Sequence, residues 1–158
     1  MRIKKRDGQT VIELILILPV FMMIIFVILE MGNLAYHTIM AHHVSYELAR
    51  VGSMVGVKNH SGPADTSRIN SKMKEALQRI VGLRRASTMH FAARLETTGL
   101  DMQPGVEHLN EDIVVTLVYR VNLIYPLTSY IFADEPKRLG IKRIRAAVRM
   151  PVERPLIN

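Results

Sequence analysis

The stretch Gly8–Glu30 reads G-Q-T-V-I-E-L-I-L-I-L-P-V-F-M-M-I-I-F-V-I-L-E, and its reading decides the fold. Sixteen residues, Leu14 to Leu29, separate Glu13 from Glu30, and none is charged. Pro19 alone among them falls outside the apolar set. With Val11 and Ile12 the span reaches nineteen residues, Val11 to Leu29, interrupted by Glu13. At about 1.5 Å per residue a helix of that length covers roughly 28 Å, close to a bilayer's hydrocarbon core. Such a segment needs a membrane or a bundle of like helices around it. Phe21 and Leu29 lie within and at the end of this span.

The flanks orient it. Arg2, Lys4, Lys5 and Arg6 against Asp7 place three of the seven net positive charges in the first eight residues. A basic end followed by an apolar helix is the pattern of a secretory signal or signal anchor. The run exceeds an ordinary signal's apolar region, and no small-x-small cleavage site follows it. An uncleaved single span is expected, with Met1–Asp7 cytoplasmic by the positive-inside bias and the rest across the membrane. The other charge is diluted along 150 residues, with no basic stripe interleaved with aromatics, so no nucleic-acid partner is expected. There is no cysteine, which excludes disulfides and thiolate chemistry.

Glu13 is an ionisable group inside the span, a functional position by default. In one reading it sits at the interface and reaches water. In the other, spacing matters: a cut after Gly8 would make Gln9 the first residue and Glu13 the fifth. Its carboxylate could then pair with the new α-amino group of a neighbouring subunit packed with an axial offset. A subunit out of register would leave an unpaired charge in an apolar environment.

A basic leader, Gly8, four residues and then Glu13 opening an apolar helix resembles the class III signal of type IV pilins and pseudopilins. The fuller string G-Q-T-V-I-E-L-I-L-I-L-P-V, with L-E-M-G-N at its far end, resembles the TadE-like family, minor pseudopilins of the tight-adherence (Flp pilus) apparatus. Leu14 stands where major Flp pilins carry Tyr, and Gln9 where many type IV pilins begin with Phe. The resemblance implies cleavage between Gly8 and Gln9 by a prepilin peptidase, and a role for Glu13 in assembly register. It implies an inner-membrane protein with a periplasmic domain, extracellular if assembled, acting as a tip or initiation subunit. Partners would be other pilins through the N-terminal helix, an assembly platform and membrane lipid. The alternative is a single-pass periplasmic adaptor of another envelope secretion system, with Gly8 and Glu13 coincidental.

From Gly32 to Val55 the pattern stays helical but turns amphipathic: Leu34, Ala41, Leu48 and Val55 recur every seven, with Val44 and Val51 between. Ala35, Ala41, Ala49, Gly52 and Gly56 permit close approach of a neighbouring element. The segment S-Y-E-L-A-R-V-G resembles, at Arg50 and Gly52, the A-x-R-x-G-A-R region of TadE-like proteins. His43 and Glu47, one turn apart, could share a metal, but no third ligand is placed by spacing, so neither metal nor cofactor is expected.

Lys58–Asp65 concentrates turn formers and predicts a loop. Asp65 or Thr66 can then cap a helix to Val81, with Ile69, Met73, Ala76, Leu77 and Ile80 inward and Gly82 ending it. Three stretches alternate with period two. The first places Met89, Phe91, Ala93 and Leu95 inward. The second runs from Ile113 to Ile124 and, with Val114 and Val118 on its other face, suits a central strand. The third, Arg143 to Met150, suits an edge. A loop is predicted over Thr98–Asp112, and Leu127, Tyr130, Ile131 and Phe132 predict a connection that docks on the domain or a neighbour. The C-terminal order of strand, Pro-Leu stretch and strand ending A-A-V-R-M-P also resembles TadE-like regions.

The expected fold is α+β and pilin-like: a long N-terminal helix, half transmembrane and half amphipathic, a second helix and a small antiparallel sheet of about three strands. Its divisions are 1–8 leader, 9–30 membrane helix, 31–57 amphipathic continuation and 58–158 extracytoplasmic domain. No nucleophile elbow, P-loop, dinucleotide fingerprint or H-E-x-x-H occurs, and no enzyme activity is expected.

Overall fold

The computed structural model describes residues 4–55, 66–103 and 106–152. The loop expected at Lys58–Asp65, the small residue Gly56, the start of the leader and the tail beyond Val152 lie outside them. The architecture is α+β. Helix α1 spans Lys4–Val55 and carries Gly8, Glu13 and Pro19 within one unbroken element. Helix α2 spans Thr66–Val81 and the short α3 spans Leu83–Ala86. Strands β1 (Met89–Gln103), β2 (Val106–Asn122) and β3 (Ile141–Pro151) form an antiparallel sheet of order β1-β2-β3, and α4 (Ser129–Phe132) precedes β3. The chain divides into two compact units: Met1–Tyr36 with Asn122–Lys142, and His37–Val121 with Arg143–Asn158.

The second unit holds the hydrophobic core. Ala41, Val44, Leu48 and Ala49 of α1 are buried with Ile69, Met73 and Leu77 of α2. They pack with Ile113, Val115, Leu117, Tyr119 and Val121 of β2, Met89 of β1 and Ala146 of β3. Each buried aliphatic side chain in such a cluster contributes about 1.5–3 kcal/mol of transfer free energy. From Ala41 to Val55 the seven-residue seam on α1 is therefore a core face, and the period-two residues of β2 are buried with it. Between them, Val114, Thr116 and Val118 on the other face of β2 are half-buried, as befits the central strand. Ile80, expected inward on α2, is exposed. Gly82 ends α2 with φ 78° and ψ 157°, a positive-φ extended conformation open to glycine, and donates to the Gln78 carbonyl at 3.0 Å.

One expectation about the sheet is overturned. Thr98–Asp112 is not a loop: β1 and β2 stay paired from Met89↔Tyr119 out to Gln103↔Val106. A register shift between Thr97 and Gly99 inserts one extra residue into β1. A bulge of this kind throws the alternation of apolar residues out of phase, so a period-two reading stops there although the ladder continues. Pro104 and Gly105, within the stretch expected to be a loop, lie outside the described residues.

Close approach of α1 to its neighbours is concentrated at Gly52. A Cβ placed there would collide with Cδ1 of the buried Ile113 and lie 3.2 Å from Sδ of the buried Met73. Next to it, Ser53 donates to the Pro151 carbonyl at 2.6 Å, tying α1 to the end of β3. Overpacking a tight core costs about 1–3 kcal/mol, against roughly 1 kcal/mol that alanine gains over glycine inside a helix. Gly52→Ala is therefore expected to lower the thermal unfolding midpoint of the detergent-solubilised protein. Gly32→Ala, with nothing within 4 Å of the added Cβ, is expected to raise it slightly. Circular dichroism melts of the two variants check the order.

Candidate membrane and assembly site

The first unit is organised around the apolar half of α1. Val11, Ile12, Leu14 to Leu18, Val20, Phe21 and on to Met23 are all exposed, with Leu16 the most open at 76%. The 18-residue apolar window within Gln9–Val55 has a mean hydropathy of 3.1 and none of it is buried by the rest of the chain. Exposed apolar surface of this extent is unfavourable in water. This helix is a candidate membrane anchor. Pro19 sits inside it without an amide hydrogen, so the Ile15 carbonyl loses its usual donor four residues on.

Near the start of this surface, Gln9 Nε2 donates to Glu13 Oε1 at 3.1 Å, one helical turn away. Both side chains are exposed. The structure therefore places Gln9 and Glu13 on one stripe of α1, with Val11, Leu14, Pro19, Phe21 and Leu29 along the same exposed half. Gly8 lies in the helix just ahead of them.

At the other end, the structure builds a site that sequence reading misses. Glu30 follows the last residue of the uncharged run, and its side chain is fully buried. Its Oε2 accepts from the backbone amides of Ile124 at 3.0 Å and Tyr125 at 2.9 Å. Thr128 Oγ1 lies 3.1 Å from the same oxygen and 2.7 Å from the Tyr125 carbonyl, and its one proton can serve either. Asn33 Nδ2 donates to Oε1 at 3.1 Å. A carboxylate accepts through both oxygens, and hydrogen bonds to a charged acceptor are the stronger kind. One turn before Glu30, the Phe26 ring stacks on Tyr125 with centroids 5.8 Å apart. The segment between β2 and β3 is thus fastened to α1 where the apolar run ends.

Local geometry prepares the partners. Leu123 N–H donates to the Gly140 carbonyl at 2.8 Å and Asp134 N–H to the Ile141 carbonyl at 2.9 Å, closing the base of the excursion. Lys142 pairs with Asp134 at 2.7 Å. The signal for Glu30 in the sequence is slight: an acid directly after an apolar run, with Asn33 three residues on. Its main partners lie more than ninety residues away, beyond the reach of any local pattern.

The other candidate groups disperse. His42 and His43 are exposed, Glu47 approaches Arg50 at 4.0 Å, and among the described residues no three metal-binding side chains converge. His37 Nδ1 lies 3.1 Å from the Tyr119 hydroxyl, with the rings edge to face, so this histidine belongs to the packed second unit. On α2, hydrogen bonding and charge from Lys72, with the charge of Arg79, hold Glu75 below the usual carboxylate range, which offsets part of that helix's basic face. On β3, Arg149 pairs with Asp112 at 2.6 Å and approaches Glu96 at 3.8 Å. This outer arginine therefore bridges strands within the sheet.

Fold and site together define an α+β protein carried on one long helix whose N-terminal half is a candidate membrane anchor. Residues 8–50 match the family model described as TadE-like protein. The match lies wholly within α1, begins at Gly8 and takes in Glu13, and it falls on the family that this stretch of the sequence resembles. Comparison with curated proteins and with solved structures gave no match.

Removal of the Glu30 side chain strips two backbone amides of their acceptor, at about 1–3 kcal/mol for each group left unsatisfied. In Glu30→Ala, hydrogen exchange at Ile124 and Tyr125 is expected to accelerate by roughly tenfold to a hundredfold. Glu30→Gln retains one acceptor oxygen and is expected to show a smaller increase. Equal exchange in all three proteins would contradict the anchoring role.

Proposed function

We propose that this protein is a pseudopilin of the Tad pilus: a structural subunit, not an enzyme, cut between Gly8 and Gln9 by a prepilin peptidase. It is held in the inner membrane by α1 with its α+β domain in the periplasm, and acts as a tip or initiation subunit. The observation that carries this reading is the TadE-like match, which begins at Gly8 and takes in Glu13, the sole acid of an otherwise uncharged, exposed apolar surface.

The mechanism is lateral assembly. Neighbouring α1 helices bury the apolar surface, from Val11 to Ile24 above all, that the chain itself leaves open. Within that apolar contact a lone carboxylate must find a cation, and cleavage creates one at the α-amino group of Gln9. Before cleavage the Gln9 side-chain amide, a neutral donor, occupies Glu13 within the same helix. Pairing with the amino group of a neighbour exchanges that bond for a charged one and selects a single axial offset, because any other leaves a charge unpaired.

Intact mass of the protein from cells with an active prepilin peptidase tests the first step. The expected product begins at Gln9, whereas uncut protein would contradict the reading. Gly8→Leu is expected to block the cut. Glu13→Ala is expected to be cut normally while its incorporation into pili falls by at least about tenfold, as for loss of one member of a buried pair. Normal assembly of Glu13→Ala would remove the register role.

A further inference from the structure

The segment between β2 and β3 leaves an apolar face uncovered. Ile124 is 68% exposed, Leu127 56%, Tyr130 67%, Ile131 52% and Leu139 62%. The sequence predicts that this segment docks, and its two faces show which part does. Thr128 is buried against Glu30 and Phe132 is half-buried, so that side of α4 turns inward. Tyr130 and Ile131 of α4, with Leu127 just ahead of the helix, are exposed.

Three further observations say what covers it. The amides of Ile124 and Tyr125 are fixed to Glu30, and the Tyr125 ring to Phe26, so the segment sits beside the last turn of the apolar run. If α1 spans a bilayer, that level is the boundary between acyl chains and headgroups. The composition suits this depth: tyrosines beside aliphatic side chains, with the exposed cations Lys137 and Arg138 next to them. Finally, Leu127 adopts φ 67°, a left-handed conformation that disfavours a branched side chain and suits glycine. A strained, exposed leucine is retained at a local conformational cost, which a contact outside the chain would offset.

We propose that Ile124, Leu127, Tyr130, Ile131 and Leu139 form a second membrane contact, inserting into the interfacial layer of the bilayer beside α1, with Lys137 and Arg138 against anionic headgroups. A helix alone is free to rotate and tilt. A lateral wedge at one end sets its rotation and its depth, and so orients Glu13 for assembly. The proposal rests on α1 being the anchor, and the experiment separates the two.

The protein has no tryptophan, so a single introduced one reports its own surroundings. Full-length chains bearing Phe21→Trp, Tyr130→Trp, Ile131→Trp or Ile80→Trp are reconstituted at low protein density into phosphatidylcholine–phosphatidylglycerol vesicles containing lipids brominated at defined acyl positions. Tryptophan at 21 is expected to be quenched most by deep bromines. At 130 and 131 shallow bromines are expected to quench several-fold more than at the exposed α2 position 80. Replacing phosphatidylglycerol by phosphatidylcholine is expected to reduce quenching at 130. Quenching at 130 and 131 no stronger than at 80, with 21 deeply quenched, overturns this proposal and leaves the anchor intact. Failure at 21 overturns the anchor itself. A blue-shifted emission at 130 that disappears on diluting protein in the bilayer, without bromine quenching, assigns the face to a second copy of the chain and also overturns the proposal.

Discussion

The buried carboxylate of Glu30 is the interaction on which the first unit depends. A short excursion such as residues 123–140 cannot bury enough apolar surface to hold itself in place, and most of its large side chains remain exposed. It needs an external fixed point. Glu30 supplies one by accepting from two consecutive backbone amides and from Thr128, while Asn33 occupies its second oxygen. The turn's donors converge on the single oxygen Oε2, and the charge of a carboxylate makes each of these bonds stronger than a neutral side-chain oxygen would. The Phe26–Tyr125 stack adds an apolar contact one turn away.

A continuous helix can serve two environments because its surface, and not its backbone, changes along its length. From Leu14 to Ile24 the side chains are apolar all round and exposed, which suits lipid or a ring of like helices. From about Ala41 to Ser53 one stripe is buried and the remainder faces solvent. Glu30 stands between the two regimes. Placing a buried acid there marks the boundary chemically as well as geometrically, since an acid is costly deeper in the span. The same cost makes Glu13 informative, because it lies exposed at the edge of the uncharged surface, with the neutral amide of Gln9 donating to it.

Much of this was legible locally. The apolar run, the seven-residue seam, the inward faces of α2 and β2, and the glycine stop at Gly82 all follow from periodicity and turn chemistry, which act over a few residues. The bulge at Thr97–Gly99 was not, because one inserted residue reverses the phase of the alternation while hydrogen bonding to β2 persists. Gly52 reads only as one small residue among five, yet it is the one against which Ile113 and Met73 close. The exposed side of α4 could be read as apolar, but not as the side turned away from Glu30.

What the sequence by itself determined is a helix long and apolar enough to cross a membrane, a basic N-terminal end and an acid in a pattern that resembles the TadE-like family, and the elements of a small α+β domain. Each is a property of neighbouring residues, whose spacing sets hydropathy, propensity and charge. Only the tertiary structure decided which acid is held and which is open. Glu13 and Glu30 look alike as two carboxylates flanking one apolar run. They differ because a distant turn brings two amides and a hydroxyl to Glu30, while α1 leaves Glu13 on an uncovered face.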